Sequence, residues 1–556
     1  MKLINIIPMH LFLQSTHATF LPKDDLPNIP KDVHVFFPDD RINWTRCNLG
    51  IDEYKKYQKA FECGNLTVPL DYTDKSSKNT TTLNLIKLRA TKTPFKGSII
   101  VNPGGPGASA LDAVLTQGQD MANITGGFYH IIGFDPRGTG KTMVPHGDEG
   151  FPGQMIEELF YTFQNSSYFI TQQLLSDALD YTRTITESFV AKDADLRKFR
   201  GTTFVARDIA EIAMALGEGN SINYWGTSYG TVLGQVLASM FPGRIERMLL
   251  DSNLLADDYV NNLALNSTKD AEKALYHFYD ECMAAKNDSC LLANKLPKGP
   301  DDFLKVLNHV FMVCTGVGGG LHSTKSLWLT GSILLALYEV KGYLWLDELI
   351  VTALEGNRSM CSQEIGDWAS PWNPQSDLAH LAIWCSDANV RAETIEEINS
   401  LYESSQANNN PFFTPALLQR SACFHWNTHA AEPINLTSLE RVETKNPILL
   451  VNGKYDPVTP LDHARKISAR FPGSRVVVHE GVGHCFGAHP SSCTREIVAR
   501  YFIDGKLPPA EATCKPDVDA FEIVEIIREE RAKDAGNHKI PVFLWVVLGF
   551  LGFICY

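Results

Sequence analysis

The sequence has no Cys-x-x-Cys pair, so its twelve cysteines do not read as a zinc cluster. It is short of positive charge: 50 Lys and Arg stand against 64 Asp and Glu, for a net charge of −14. A nucleic-acid partner needs a basic footprint, so none is expected. No run of like charges forms a tail, and no internal repeat is visible. Cofactor loops are missing as well. Gly140-Lys141-Thr142 resembles the end of a phosphate-binding loop, but Asp135 occupies the place of the glycine required five residues before Gly140. His425 and His429 are four apart without the glutamate of a zinc-protease helix, and the glycine run from Gly316 to Gly320 reads as a flexible connection. No metal and no cofactor are expected.

What remains is an ordinary globular composition, 44% hydrophobic and 21% charged. At 556 residues the chain is long enough for several domains of roughly 150 residues each. Its cysteines cluster locally: Cys47 with Cys63, Cys282 with Cys290, Cys485 with Cys493, and Cys514 soon after. That spacing suits small disulfide loops and an oxidising compartment. Glycosylation sequons at Asn43, Asn65, Asn79, Asn123, Asn165, Asn266, Asn287, Asn357 and Asn435 point the same way. Lys2, the apolar stretch Leu3 to Leu13 and Ala18 predict a signal peptide over 1–18. The uncharged run 540–556 would span about 25 Å as a helix, slightly less than a bilayer core of about 30 Å. It reads as a short membrane anchor, as a tail removed when a lipid is attached near Asp534-Ala535-Gly536, or as a segment buried against the fold. The expected location is the secretory pathway, then the extracellular space or the cell surface.

Along the chain, residues 19 to about 95 hold alternating stretches such as Thr82 to Leu88, expected as edge strands. From Gly97 the texture becomes short apolar strands that run into glycine-rich turns. Ser98–Val101 precedes Asn102-Pro103-Gly104-Gly105-Pro106-Gly107, and His130–Phe134 precedes Asp135-Pro136-Arg137-Gly138-Thr139-Gly140. Strands at 222–225 and 245–250, with helices at 206–216 and 231–240, continue the rhythm. It predicts an α/β fold with a mostly parallel sheet. From 256 to 440 the sequence is helical and lacks that rhythm, so it is expected as an inserted cap. Strands resume at 447–451 and 475–478. The expected division is a core over 19–255, the cap over 256–440, the rest of the core over 441–515, a helix and polar stalk over 516–539, and the tail.

The chemistry centres on Gly226-Thr227-Ser228-Tyr229-Gly230. Gly-x-Ser-x-Gly between a strand and a helix forces a tight turn that lifts a serine out of the chain, the nucleophile elbow of α/β-hydrolases. Serine needs a base, and the base needs an orienting acid. Asp456 and His484 each follow a strand and come in the required order. His479 and His489 are rivals, the first too near its strand and the second in a Pro/Ser loop. Backbone amides must hold the developing oxyanion, with Tyr229 and Gly105 expected to provide them.

The segments from Gly97 to Asp251 and from Pro447 to Cys514 resemble the tripeptidyl and prolyl aminopeptidase branch of the α/β-hydrolases. The likeness is carried by Asn102 to Gly107, Gly133 to Gly140, Tyr224 to Thr231, and the Asp456 and His484 loops. Cys493 to Cys514, with Asp504-Gly505-Lys506-Leu507-Pro508, is similar to the C-terminal module of secreted tripeptidyl aminopeptidases. The resemblance implies a Cys493–Cys514 disulfide that leaves Cys485 odd, and a peptide substrate with a free amino terminus. It also implies cap carboxylates for the substrate ammonium, with Asp251 and Asp387 the chosen candidates beside Asp257 and Asp258. Cys385 and Cys423 are candidates to staple the cap. The expected function is a serine exopeptidase, with a small-molecule esterase or lactonase and a non-catalytic binding ectodomain as rivals.

Overall fold

The computed structural model describes residues 41–48, 58–144, 180, 183, 186, 187, 196–218, 221–285, 289–295, 299–316, 327–361, 374–404 and 410–535. The expected signal peptide, the sequons at Asn165 and Asn287 and the apolar tail lie outside the described residues.

Ten strands form one sheet in the order β1-β2-β3-β5-β4-β6-β7-β8-β9-β10. They are β1 (Thr45–Arg46), β2 (Phe61–Pro69), β3 (Thr80–Leu88), β4 (Ser98–Asn102), β5 (His130–Phe134), β6 (Ile222–Thr227), β7 (Ile245–Asp251), β8 (Leu449–Tyr455), β9 (Arg475–Val482) and β10 (Ala512–Cys514). From β5 through β10 every pairing is parallel, whereas β1, β2 and β3 add antiparallel strands at one side. Parallel strands are covered by helices on both faces, so continuous apolar runs are what the position demands. β4 and β6 are buried along their whole length.

The alternating stretch expected as an edge strand is β3, and it is internal. It pairs with β2 on one side and β5 on the other, and Ile86, Lys87 and Leu88 are all buried. Alternation indicates one wet face, but here only the first half of the strand keeps one.

Helices Ala110–Ile124, Thr202–Ala215, Tyr229–Met240, Leu461–Arg470 and Ser492–Asp504 connect the parallel strands. Between β7 and β8 the described elements are all helical, from Ala256–Asn261 to Phe413–Arg420. The last helix, Ala520–Ala535, lies within the stretch expected as a helix and polar stalk. Phe521, Val524 and Ile527 are buried with Phe278 and Tyr343 of the cap, and Arg528 and Arg531 pair with Asp347 and Glu348. It is therefore part of the cap's own apolar core.

Among the described residues five disulfides join Cys47–Cys63, Cys282–Cys290, Cys314–Cys361, Cys385–Cys423 and Cys493–Cys514. Cys485, expected to be odd, is itself disulfide-bonded. This cysteine usage points to an extracellular or secreted protein. Of the seven described sequons, Asn43, Asn65, Asn79, Asn123, Asn357 and Asn435 are exposed, while Asn266 spends its amide on Asp258. Among the described residues no helix is long and apolar enough to cross a membrane.

The motif Asp135 to Gly140 proves to be structural. Arg137 forms a two-pronged ion pair with Asp208 and donates to the carbonyls of Pro69 and Leu70, all within the fold. A charge buried this deeply needs every donor matched, and that demand accounts for the Arg.

Candidate active site

Strand β6 runs straight into the helix Tyr229–Met240, with Ser228 at the junction at φ 57° and ψ −123°. Such a conformation costs a non-glycine residue about 1–3 kcal/mol and persists only where surrounding structure enforces it. Here the enforcement is visible. The Ser228 N–H donates to the Asp251 carbonyl, and both the backbone N–H and the hydroxyl of Thr231 donate to the Ser228 carbonyl. From Ile222 to Ala238, Ser228 is the only residue that is not buried. The strained turn thus presents one hydroxyl at the surface of an otherwise closed core.

The loop after β4 lies against this turn. Gly104 has φ 109°, and a Cβ there would come 2.8 Å from Ser228 Cβ and 3.2 Å from the Tyr229 nitrogen. Its own N–H is taken by Asn102 Oδ1 at 3.1 Å. Gly230 is equally confined, because a Cβ would sit 2.5 Å from the Asn102 carbonyl oxygen. These glycines let two backbones approach where side chains cannot fit.

Asp456 and His484 meet across the ends of β8 and β9. His484 Nδ1 lies 2.9 Å from Asp456 Oδ2 and 3.1 Å from Oδ1. A ring nitrogen facing a carboxylate carries the proton, which leaves Nε2 as the basic nitrogen. The Asp456 oxygens also accept from the amides of Val458 and Thr459 and from the Thr459 hydroxyl. Burial would push this carboxyl up, but the charge of His484 and the hydrogen bonds hold it below its ordinary value.

Asp251 and Ser252, at the end of β7, join the serine turn to the histidine loop. The Asp251 carbonyl receives Ser228 N–H, its carboxylate receives Phe486 N–H at 3.3 Å, and Ser252 Oγ receives Cys485 N–H at 2.6 Å. Among the described residues no hydrogen bond joins Ser228 Oγ to His484 itself. Such bonds are often long without substrate.

The rival histidines are engaged elsewhere. His479 Nδ1 faces Thr494, and His489 bridges the Val482 amide and the Val518 carbonyl. Among the described residues no cluster suits a metal ion.

The two carboxylates expected to hold a substrate ammonium are both interior. Asp251 is 3% exposed and Asp387 4%. Asp387 accepts from the Thr202 amide at 2.9 Å, the Thr202 hydroxyl at 2.5 Å and the Tyr259 hydroxyl at 3.1 Å. The Thr202 hydroxyl also meets the Tyr229 hydroxyl, so Asp387 ties the cap to the residue beside Ser228. Burial pushes Asp251 well up and Asp387 up to about 6.

Sequence reasoning missed Thr459 and Tyr338. Tyr338 accepts the His484 N–H at its carbonyl and sets its ring edge-on at 5.2 Å. Thr459 had a legible signal, a hydroxyl three residues after an acid in a loop. Tyr338 had none, because it lies 146 residues from His484, inside the cap.

A parallel sheet with a strained serine at a strand–helix junction defines an α/β-hydrolase, and the known relatives agree. A family model described as alpha/beta hydrolase fold matches residues 97–277, and one described as TAP-like protein matches 410–514. A tripeptidyl aminopeptidase of Streptomyces lividans is 24% identical over 502 residues, which is 85% of this chain and 87% of its own length. Serine protease Hip1 of Mycobacterium tuberculosis is 26% identical over 508 residues, 85% of this chain and 91% of its own. Carboxylesterase B of the same species is 25% identical over 496 residues, covering 85% and 90%. The chain is a serine hydrolase of the α/β-hydrolase fold. Within that fold its sequence is similar to tripeptidyl aminopeptidase and to serine protease Hip1 over most of its length.

Proposed function

We propose that the chain is a secreted or surface-anchored exopeptidase that removes residues or short peptides from free amino termini through an acyl-enzyme. The observation that carries this reading is the buried Asp456–His484 pair, tied through Asp251 and Ser252 to the turn that exposes Ser228. In the proposed mechanism His484 Nε2 takes the Ser228 proton as Oγ attacks the scissile carbonyl, and the same imidazolium then protonates the leaving amine. Asp456 holds the imidazole in the required tautomer. Amides of Tyr229 and Gly105 receive the oxyanion, the first at the positive end of its helix. Water then attacks the acyl-enzyme by the same route and frees Ser228. Peptidase relatives support the peptide substrate. Asp251 and Asp387 are assigned no ammonium, since internal donors already occupy them.

A small-molecule esterase is the second reading, favoured by the carboxylesterase relative. Free-amino peptide anilides, their N-blocked counterparts and simple aryl esters separate the two. Cleavage of free-amino peptides, with stepwise trimming from the amino end seen by mass spectrometry, is the expected result. Ester turnover with every peptide left intact would remove the exopeptidase reading.

The oxyanion assignment has its own test. Gly104→Ala would push the 103–107 loop off the serine turn, and losing one oxyanion donor costs about 10²–10³-fold. Labelling of Ser228 by a fluorophosphonate should slow by about that factor. Labelling at the wild-type rate would show that this loop takes no part.

A further inference from the structure

On the cap side of the site stands a cation with no ion pair among the described residues. Arg420 ends the helix Phe413–Arg420, and its guanidinium lies 4.8 Å over the ring of Trp384. Its one hydrogen bond among the described residues runs from Nη1 to the Ala264 carbonyl at 2.9 Å, and its Nε is buried with no acceptor. No carboxylate comes within ion-pairing distance of it among the described residues. Asp258 is the acid whose charge acts on it, but from beyond ion-pairing distance: Asp258 Oδ1 accepts from Asn266, its Oδ2 has no hydrogen-bond partner among the described residues, and burial raises its carboxyl to about 6. Burial lowers Arg420 only to about 10, so it stays a cation at neutral pH.

Trp384 supplies an independent sign. It is 5% exposed, and its indole N–H has no acceptor among the described residues. A buried donor left unmatched costs about 1–3 kcal/mol, so two side by side mark a place where an acceptor belongs. The position of the pair shows which acceptor. Trp384 packs at 4.8 Å against His380, whose Nδ1 lies 3.0 Å from the Pro106 carbonyl in the loop beside Ser228. The charge of Arg420 is also felt at Tyr338, which covers His484. Although deeply enclosed, Arg420 is still partly open to solvent.

We infer that Arg420, with the Trp384 indole N–H beside it, receives a carboxylate of the substrate, so that the enzyme prefers acyl donors carrying negative charge near the bond it cuts. This rests on the exopeptidase reading for the identity of those donors. The carboxylate has two possible sources, an acidic side chain or the terminal carboxylate of a short peptide.

The test uses the full chain and three matched pairs of substrates. Free-amino peptides with Glu or Gln at each position around the cut read a side-chain carboxylate. Short peptides ending in an acid or an amide read a terminal one. The aryl half-ester of succinic acid, set against the aryl ester of butyric acid, reads the charge whether or not peptides are cut. In the wild type, kcat/KM should favour the charged member of the peptide pair that applies, and of the ester pair where the carboxylate sits on the acyl side, by about ten- to a hundred-fold. The ratio should fall toward one in R420Q, remain partly in R420K, and shrink in W384F. Equal rates within all three pairs overturn the inference, as does a preference that survives intact in R420Q. If no peptide is cut, the exopeptidase reading fails, and the ester pair alone decides the carboxylate site. Equal ester rates then overturn it.

Discussion

Ser228→Ala should lower turnover by about 10⁴-fold or more while the protein keeps its fold. Removing Oγ eliminates the acyl-enzyme, and what survives is the catalysis that oxyanion donors and binding give to water, about 10³–10⁴ over the uncatalysed reaction. The fold should be indifferent, because the Ser228 hydroxyl makes no described hydrogen bond; the backbone N–H and carbonyl hold the turn. Alanine keeps the strain, since it also carries a Cβ at φ 57°. Ser228→Gly relieves it and should raise stability by about 1 kcal/mol or more over Ser228→Ala, seen as a higher melting temperature. Turnover in Ser228→Ala within tenfold of wild type would take the nucleophile role away from this residue. Equal melting temperatures for the two variants would show that the turn is not strained.

Acidification from pH 7 to pH 5 should destabilise the protein by several kcal/mol. Burial lowers His130, His380 and His463 to about 3, and His277, His479 and His489 to about 4, against 6.5 for an unhindered imidazole. Groups depressed in this way stabilise the fold above pH 6.5, and that stability is lost as pH falls toward their folded values, by about 2 kcal/mol each at pH 5. Ten carboxyls work in the other direction. Burial raises Asp135, Asp258 and Asp387 to about 6, lifts Asp251 well above its ordinary value, and moves Asp112, Asp208, Glu218, Glu281, Glu339 and Asp347 in the same direction. Their folded forms hold protons that the unfolded chain has released, so acidification favours the fold by about 1 kcal/mol for each of the three near 6. The histidines are fewer, but each loses about twice as much as a carboxyl near 6 gains between pH 7 and pH 5, so they prevail. Urea midpoints at pH 7, 6 and 5 check the sign. A midpoint that rises toward pH 5 would mean that the carboxyls dominate.

Much of the molecule is legible in the chain because its signals are local. β5 runs over His130–Phe134 as expected, β4, β6, β7 and β9 each contain the apolar run that announced them, and β8 begins two residues into its run, at Leu449. A strand buried on both faces must be continuously apolar, and a turn at a sheet end must be small, so each writes itself into a few consecutive residues. Other features hold no such record. β3 keeps an alternating pattern although neighbours flank it on both sides, because its second half is covered by residues far away in sequence. The final helix was legible as a helix but not as part of the cap, since amphipathicity says that a face is buried and not against what.

The same division holds at the site. The sequence by itself determined the order of Ser228, Asp456 and His484, the strand end each follows, and the glycines that let the 103–107 loop approach. Each of these is a constraint on neighbouring residues. Only the tertiary structure decided that Asp251 and Asp387 turn inward while Arg420 and Trp384 are left with donors to spare. Whether a charged side chain is matched depends on partners brought from tens to hundreds of residues away. Desolvation and pairing act through space, and a linear pattern of residue types carries no distances.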